Sequence, residues 1–365
     1  MAGIYIHIPF CKQACHYCNF HFATSLHYKK DFVSALLKEI PLQKDYAANE
    51  PVETIYFGGG TPSLCTSEEL KDIIAAIYST HDVVDNAEIT LEANPDDITE
   101  EKLQLWKMIG ITRLSIGIQS FFEEDLVWMN RAHTAGQAID NLQLAKKYFD
   151  NITIDLIYGT PQITDEKWKH NVDTAIALNV PHLSCYALTV EPRTPLEKMI
   201  RLEQSKNVDP DKQSAQFLLL MGWLEQAGYE HYEISNYAKP GWRSRHNSSY
   251  WQGKKYIGLG PSAHSYNGKE RQWNAANNNS YIESINKGIL PFEKEVLTPA
   301  QQLNEYIMTS LRTLEGIDLA IAGSELLEQS KKFIDGGLMK YENNSLILTK
   351  EGKLLADGIA AELFG

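Results

Sequence analysis

The sequence predicts an α/β protein: an open, partial TIM-type barrel of six parallel strand–helix units, (β/α)6, plus a small winged-helix-like C-terminal unit. Three observations carry this. Short β-branched and aromatic runs alternate with amphipathic segments up to about residue 190, the signature of a parallel sheet joined by right-handed crossovers. The units number about six, too few for a closed eight-stranded barrel. From about residue 297 the pattern changes to helix, helix, hairpin, helix. A doubly wound sheet stays open as the alternative, because periodicity alone does not separate the two.

Taken in order, strands are expected at residues 4–8, 54–57, 88–91, 113–118, 152–157 and 182–188, with helices near 29–46, 67–80, 100–109, 135–148 and 165–178. Thr66 with Glu69, and Thr134 with Gln137, read as capping boxes that satisfy the free donors of a first helical turn. An apolar helix at 215–227 leads into a stretch rich in Tyr, Asn and Gly, from His231 to Trp273. Thr298-Pro299-Ala300-Gln301 opens a helix with Thr as cap and Pro in its first turn. A second helix at 324–335 ends at Gly336-Gly337, a hairpin turns at 342–345, and a last helix starts at Lys350. The organisation expected is a barrel core over 1–228, an irregular segment over 229–295 and a winged-helix-like unit over 296–365.

The chain has 365 residues, 43% of them hydrophobic, and a net charge of −13. That acidic balance argues against a surface that hugs phosphates, so no nucleic-acid partner is expected, and the C-terminal unit reads as a lid or docking element. No stretch approaches the ~20 apolar residues of a membrane span. The first residues, Met1-Ala2-Gly3-Ile4-Tyr5, lack the basic region and apolar core of a signal peptide. A cytoplasmic protein is expected.

Five cysteines in so long a chain do not make a disulfide scaffold. Cys65 and Cys185 stand alone and read as core residues. Cys11, Cys15 and Cys18 form C-x3-C-x2-C just after the first strand, a loop offering three thiolates to a soft metal. They could be a chance group of buried thiols. They could be three ligands of a zinc site completed by His21. Or they could hold an iron–sulfur cube by three sulfurs, leaving one iron open to another ligand.

Other polar residues fall where strands end, the place where ligands gather on such sheets. Gly58-Gly59-Gly60-Thr61-Pro62 follows the second strand and would let backbone approach a ligand closely. Glu92 ends the third strand, and a carboxylate there must face a cavity or meet a cation. Gln119 ends the fourth, Arg131 precedes a helix, and Asp155 interrupts the aliphatic run of the fifth. Each could equally be a satisfied structural polar group.

Cys11, Cys15 and Cys18, with Tyr17 before the last cysteine, resemble the signature of the radical S-adenosylmethionine (SAM) superfamily. The resemblance implies a [4Fe-4S] cluster whose open iron takes the amino and carboxylate groups of SAM, and reductive cleavage of SAM to a 5′-deoxyadenosyl radical. The strand-end residues are similar to those of the oxygen-independent coproporphyrinogen III oxidase subgroup, over essentially the whole chain. That likeness implies SAM contacts at Tyr5, Gly59, Gly60, Thr61, Glu92, Gln119, Arg131 and Asp155, the acidic groups holding ribose or the amino-acid moiety and the glycines lining the methionine end.

The subgroup contains decarboxylating oxidases and haem chaperones. The oxidases carry a further cysteine two residues after the motif, where this chain has Phe20, and an N-terminal extension, whereas here the first motif cysteine is residue 11. His246-Asn247-Ser248-Ser249-Tyr250-Trp251, an H-N-x-x-Y-W run, resembles the haem-chaperone family, as does the stretch 256–264. An imidazole is a good axial ligand and the two aromatics offer flat surface to a macrocycle; a loop histidine beside anchoring aromatics is the plainer reading. His264 and His231 are alternative ligands. The resemblance thus implies [4Fe-4S], SAM and haem as cofactors, apo-haem proteins such as respiratory enzymes as clients, and a homodimer as a possible form. The alternatives are an oxygen-independent coproporphyrinogen III oxidase, decarboxylating its substrate through SAM, and a zinc-stapled scaffold.

Overall fold

Six parallel strands lie side by side in chain order: β1 (Ala2–Ile8), β2 (Val52–Gly59), β3 (Val83–Ala93), β4 (Arg113–Gln119), β5 (Ile152–Tyr158) and β6 (His182–Ala187). The computed structural model describes residues 1–365. A doubly wound sheet would reverse its strand order among the strand–helix units; β1 to β6 run in one direction without such a reversal, which removes that alternative. Beyond β6 lie two antiparallel strands, β7 (Glu230–Glu233) and β8 (Asn236–Ala238), with β8 next to β6. On the other flank β9 (Tyr256–Leu259) runs parallel to β1 and is followed by β10 (His264–Tyr266), β11 (Glu270–Asn274) and β12 (Phe292–Val296). The edges β12 and β7 do not pair, so the barrel stays open.

The two-residue period of a strand sorts its side chains between the faces. Ile4, Ile6, Ile55, Phe57, Ile89, Leu91, Leu114, Ile116, Ile154 and Leu156 are buried in the main apolar core, which the helices Lys29–Leu42, Ser67–Thr80, Glu100–Met108, Ala135–Ala145 and Asp165–Ala177 cover. The alternate positions are polar: Tyr5, Tyr56, Glu92, Arg113, Ser115, Asp155, Ser184. Across the sheet Tyr5 faces Tyr56, Glu92 faces Ser115 and Asp155 faces Ser184. Branched aliphatic layers fill the interior of a closed TIM barrel. Here the interior is polar and leaves room for a ligand.

Both capping boxes form, Thr66 with Glu69 and Thr134 with Gln137. Several elements differ from expectation. The first helix stops at Leu42, just after Pro41; the third strand begins at Val83; and a short helix, Glu123–Trp128, follows β4. The stretch from 231 to 273 holds several short strands and the helix Arg245–Trp251. Strands of three or four residues carry too little period to be read locally, and their partners lie far away in sequence.

The last segment has its own apolar core, with Ile307, Phe333 and Leu346. It consists of helices Pro299–Leu311, Glu325–Asp335 and Ala356–Glu362 around β13 (Ile317–Asp318), β14 (Met339–Glu342) and β15 (Ser345–Leu348), in the order β13-β15-β14. Asn343 and Asn344, both at positive φ, make the two-residue hairpin turn. The Arg312 guanidinium meets the buried carboxylate of Glu233 at 3.0 Å and joins this segment to β7. No helix is long and apolar enough to cross a membrane.

Candidate cofactor site

The strand ends open onto a cavity of about 450 Å³ whose wall includes Cys11, Cys15, Tyr17, Cys18, Gly59, Gly60, Thr61, Glu92, Gln119, Arg131 and Asp155. The cysteine loop follows β1 and is pinned by backbone bonds: Cys11 N–H to Ala23 O at 3.0 Å and His16 N–H to Met129 O at 3.1 Å. All three thiols of the motif face this cavity, while Cys65 and Cys185 are buried elsewhere. His21 turns away. Its Nε2 pairs with Asn278 Oδ1 at 2.7 Å, and it does not line the cavity, so the Cys3His zinc site is not assembled. No group of three or more His, Cys, Asp or Glu side chains closes around a point as a single-ion site requires.

Three sulfurs along one wall, with no fourth protein ligand among them, fit a cube with one open iron. Burial pushes the Cys11 thiol up to about 11 and raises Cys18, so these sulfurs favour the neutral form unless a cation meets them. Arg131 donates from Nη1 to Cys15 Sγ at 3.3 Å and from Nη2 to Asn94 Oδ1 and Gly117 O at 2.7 and 2.8 Å. The Tyr17 phenol lies in the same cavity wall as this guanidinium.

The glycine turn lies on the same side of the molecule, and close approach to neighbouring protein gives a second physical reason for it. Gly59 has φ +102°, and a Cβ there would sit 2.5 Å from His7 Nδ1; a Cβ on Gly60 would sit 2.6 Å from Phe10 O. These glycines let the turn lie against β1 and the start of the cysteine loop. They bring two pieces of protein together as much as they clear a path for a ligand.

Glu92 accepts a hydrogen bond from Tyr56 at 2.7 Å, and burial pushes its carboxyl up to about 7. Burial likewise raises Asp155 to about 6, against the pull of Arg113 and Arg131. Gln119 holds φ +67°, a left-handed backbone rare for a residue with a side chain, at the cavity edge. Two contributors were not singled out from the sequence. Asn94 bridges Arg131 and Thr61; its signal was a polar residue between a strand end and Pro95. Arg113 is buried on the inner face of β4 with Nε and Nη1 unpartnered. Its signal was a charge at the opening of an otherwise apolar strand.

Two expected site residues are not brought to the cavity. Tyr5 does not line it; its hydroxyl meets His7 Nδ1 at 3.2 Å and its ring stacks on Tyr56. His246 lies on the helix Arg245–Trp251 and is 1% exposed. Thr54 Oγ1 occupies its Nδ1 at 2.8 Å and the Tyr250 hydroxyl its Nε2 at 2.9 Å. In this arrangement neither nitrogen is free for a metal, because the histidine packs inward from a helix rather than standing on a loop. Burial lowers its pKa to about 3, so it is neutral. Of the alternatives, His231 bonds Ile234 O at 2.9 Å, whereas His264 is exposed beside Trp273.

Comparison with known proteins gives the family and the fold. Residues 5–175 match the family described as the Radical SAM superfamily. The heme chaperone HemW of Mycobacterium tuberculosis is 34% identical, the alignment covering 100% of this chain and 95% of that protein. HemW of Bacillus subtilis is 31% identical over 100% of both. Among solved structures, coproporphyrinogen III oxidase (HemN) from Escherichia coli superposes with a TM-score of 0.85 at 22% identity, covering 100% of this chain and 90% of that one. That likeness establishes the fold.

Proposed function

This chain belongs to the HemW family of haem chaperones within the radical SAM superfamily, and on that premise we propose that it binds a [4Fe-4S] cluster, SAM and haem and hands haem to apo-haem proteins in the cytoplasm. The observation that carries the reading is the convergence of Cys11, Cys15 and Cys18, the glycine turn, Glu92 and Asp155 on one cavity. The three thiolates hold the cluster. Bound beside it, SAM supplies a sulfonium open to one-electron cleavage. Glu92 and Asp155 offer acceptors to the ribose hydroxyls or the amino group of SAM. Gln119 and Thr61 add polar contacts, and Arg131 places positive charge beside the sulfur of Cys15.

One residue at the cavity mouth favours a carrier over a decarboxylase. Phe20 at the mouth, 66% exposed, stands where the oxidases have a cysteine.

We place haem on His246, which requires the helix Arg245–Trp251 to release Tyr250 and Thr54; His264, already exposed, is the alternative ligand. The barrel over 1–228 then houses the cluster and SAM, the segment 229–295 the haem ligand, and residues 296–365 a docking or lid unit. The test is an anaerobic assay of reconstituted protein with coproporphyrinogen III, SAM and a reductant, run beside transfer of bound haem to an apo-haem protein. Haem transfer without protoporphyrinogen is the expected result. Protoporphyrinogen formation overturns the carrier reading in favour of the oxidase.

A further inference from the structure

The H-N-x-x-Y-W helix and the cavity are separate in sequence and joined in space through Tyr56. This side chain stands on the inner face of β2 and donates its hydroxyl to Glu92 Oε1 at 2.7 Å. Its ring is stacked on His246 with centroids 4.9 Å apart and planes 23° apart, and on Tyr5 at 6.1 Å and 26°. His246 is held in turn by Thr54 and Tyr250, and its backbone N–H donates to Glu88 Oε1 at 3.1 Å.

Two glycines are spent on this arrangement. A Cβ on Gly58 would lie 2.9 Å from the Tyr56 ring and 3.1 Å from Glu92 Oε1. A Cβ on Gly3 would lie 2.9 Å from Thr54 Oγ1 and 3.3 Å from the His246 ring. The sequence therefore clears space for the carboxylate's partner and, on the next strand, for the imidazole that backs it.

We infer that Tyr56 is a positioning residue for Glu92 in SAM binding, and that His246 acts on the same carboxylate by fixing the Tyr56 ring. This rests on the SAM-binding reading above. A carboxylate at the end of a strand can swing. The phenol takes one oxygen and so fixes where the other acceptor positions face. The imidazole stops the phenol from tilting, and Thr54 and Tyr250 stop the imidazole. Histidine suits the position because a flat ring stacks on Tyr56 while two nitrogens reach partners on opposite sides.

The test is SAM affinity of haem-free, anaerobically reconstituted protein, measured by calorimetric titration at matched iron content, together with the change SAM makes in the electron paramagnetic resonance spectrum of the reduced cluster. Tyr56→Phe keeps the ring and removes the hydroxyl; it should weaken SAM about tenfold, the scale of a lost bond to a carboxylate. His246→Ala should weaken it about threefold, and His246→Phe, which keeps a flat ring on Tyr56, should restore most of that loss. Because both act through one carboxylate, Tyr56→Phe with His246→Ala should bind SAM no more weakly than Tyr56→Phe alone. Tyr56→Phe binding within twofold of the parent, or losses that multiply in the double variant, overturns the inference and leaves the SAM reading intact. Parent protein that carries its cluster and does not bind SAM overturns both.

Discussion

The Arg131 guanidinium lies 3.3 Å from the Cys15 sulfur through Nη1, while its Nη2 spans Asn94 and Gly117. One planar group thus joins the cysteine loop, the residue after β3 and the inner face of β4. Gly117 makes this possible, since a Cβ there would come 3.1 Å from Nη2. Lysine carries the charge but not the fork, so it cannot hold all three walls. Arg131→Lys should retain about half or less of the parent's iron after reconstitution, on that same loss of the fork, and Arg131→Leu less still. Iron and sulfide assays at matched protein concentration measure it; parental iron content in Arg131→Lys would show that charge alone suffices.

The number of metal ions distinguishes a cube from a staple. Anaerobic reconstitution should load about four irons per chain, as a cube does, and replacing Cys11, Cys15 or Cys18 by Ser should remove most of them. Cys65→Ser and Cys185→Ser should leave the iron unchanged, because those thiols are buried away from the cavity. One tightly held zinc and no iron would return the motif to a structural role.

Glu39 gives a pH test outside the site. It is fully buried and accepts bonds from Tyr281, Asn274 and the Gly260 N–H at 2.6, 2.6 and 2.7 Å. Burial outweighs these donors and lifts its pKa from 4.5 to about 7. A raised folded-state pKa means that the native chain holds a proton the unfolded chain releases. The resulting stabilisation is full below pH 4.5 and is lost as pH rises through about 7. Glu39→Gln has no such proton, and every other group titrates alike in both proteins. The melting temperature of the parent relative to Glu39→Gln should therefore fall by roughly 3 °C between pH 5 and pH 8. A difference independent of pH would mean that Glu39 is ionised throughout.

The parallel core was legible because its strands alternate with amphipathic helices, several of which have readable starts, and local signals suffice for such units. The cysteine loop was legible because its thiols sit within eight consecutive residues, Cys11 to Cys18. Glu92 and Asp155 showed themselves as charges in aliphatic runs, and Arg113 gave a weaker signal, as a charge at the opening of a strand. Tyr56 gave none: in Thr54-Ile55-Tyr56-Phe57 it reads as one more strand aromatic, and its bond to Glu92 depends on register between β2 and β3. His246 was legible only in part, for the opposite reason. The motif around it was visible, but whether an imidazole faces solvent or Thr54 is decided by how a short helix seats on the sheet, which no local pattern records.

With haem placed on His246 as proposed, that seating would make haem and SAM compete for one side chain. To ligate haem, His246 must leave Thr54, Tyr250 and the Tyr56 ring, and Tyr56 then loses the support that fixes Glu92. Linkage requires the effect to be equal in both directions. Saturating haem should weaken SAM binding about threefold, and saturating SAM should weaken haem binding by the same factor, read as the midpoint of the Soret titration. His246→Ala should both weaken the Soret change and abolish the linkage, whereas His264→Ala should leave the two affinities as they were. A linkage that survives in His246→Ala would place the haem iron elsewhere, with the exposed His264 beside Trp273 next to be replaced.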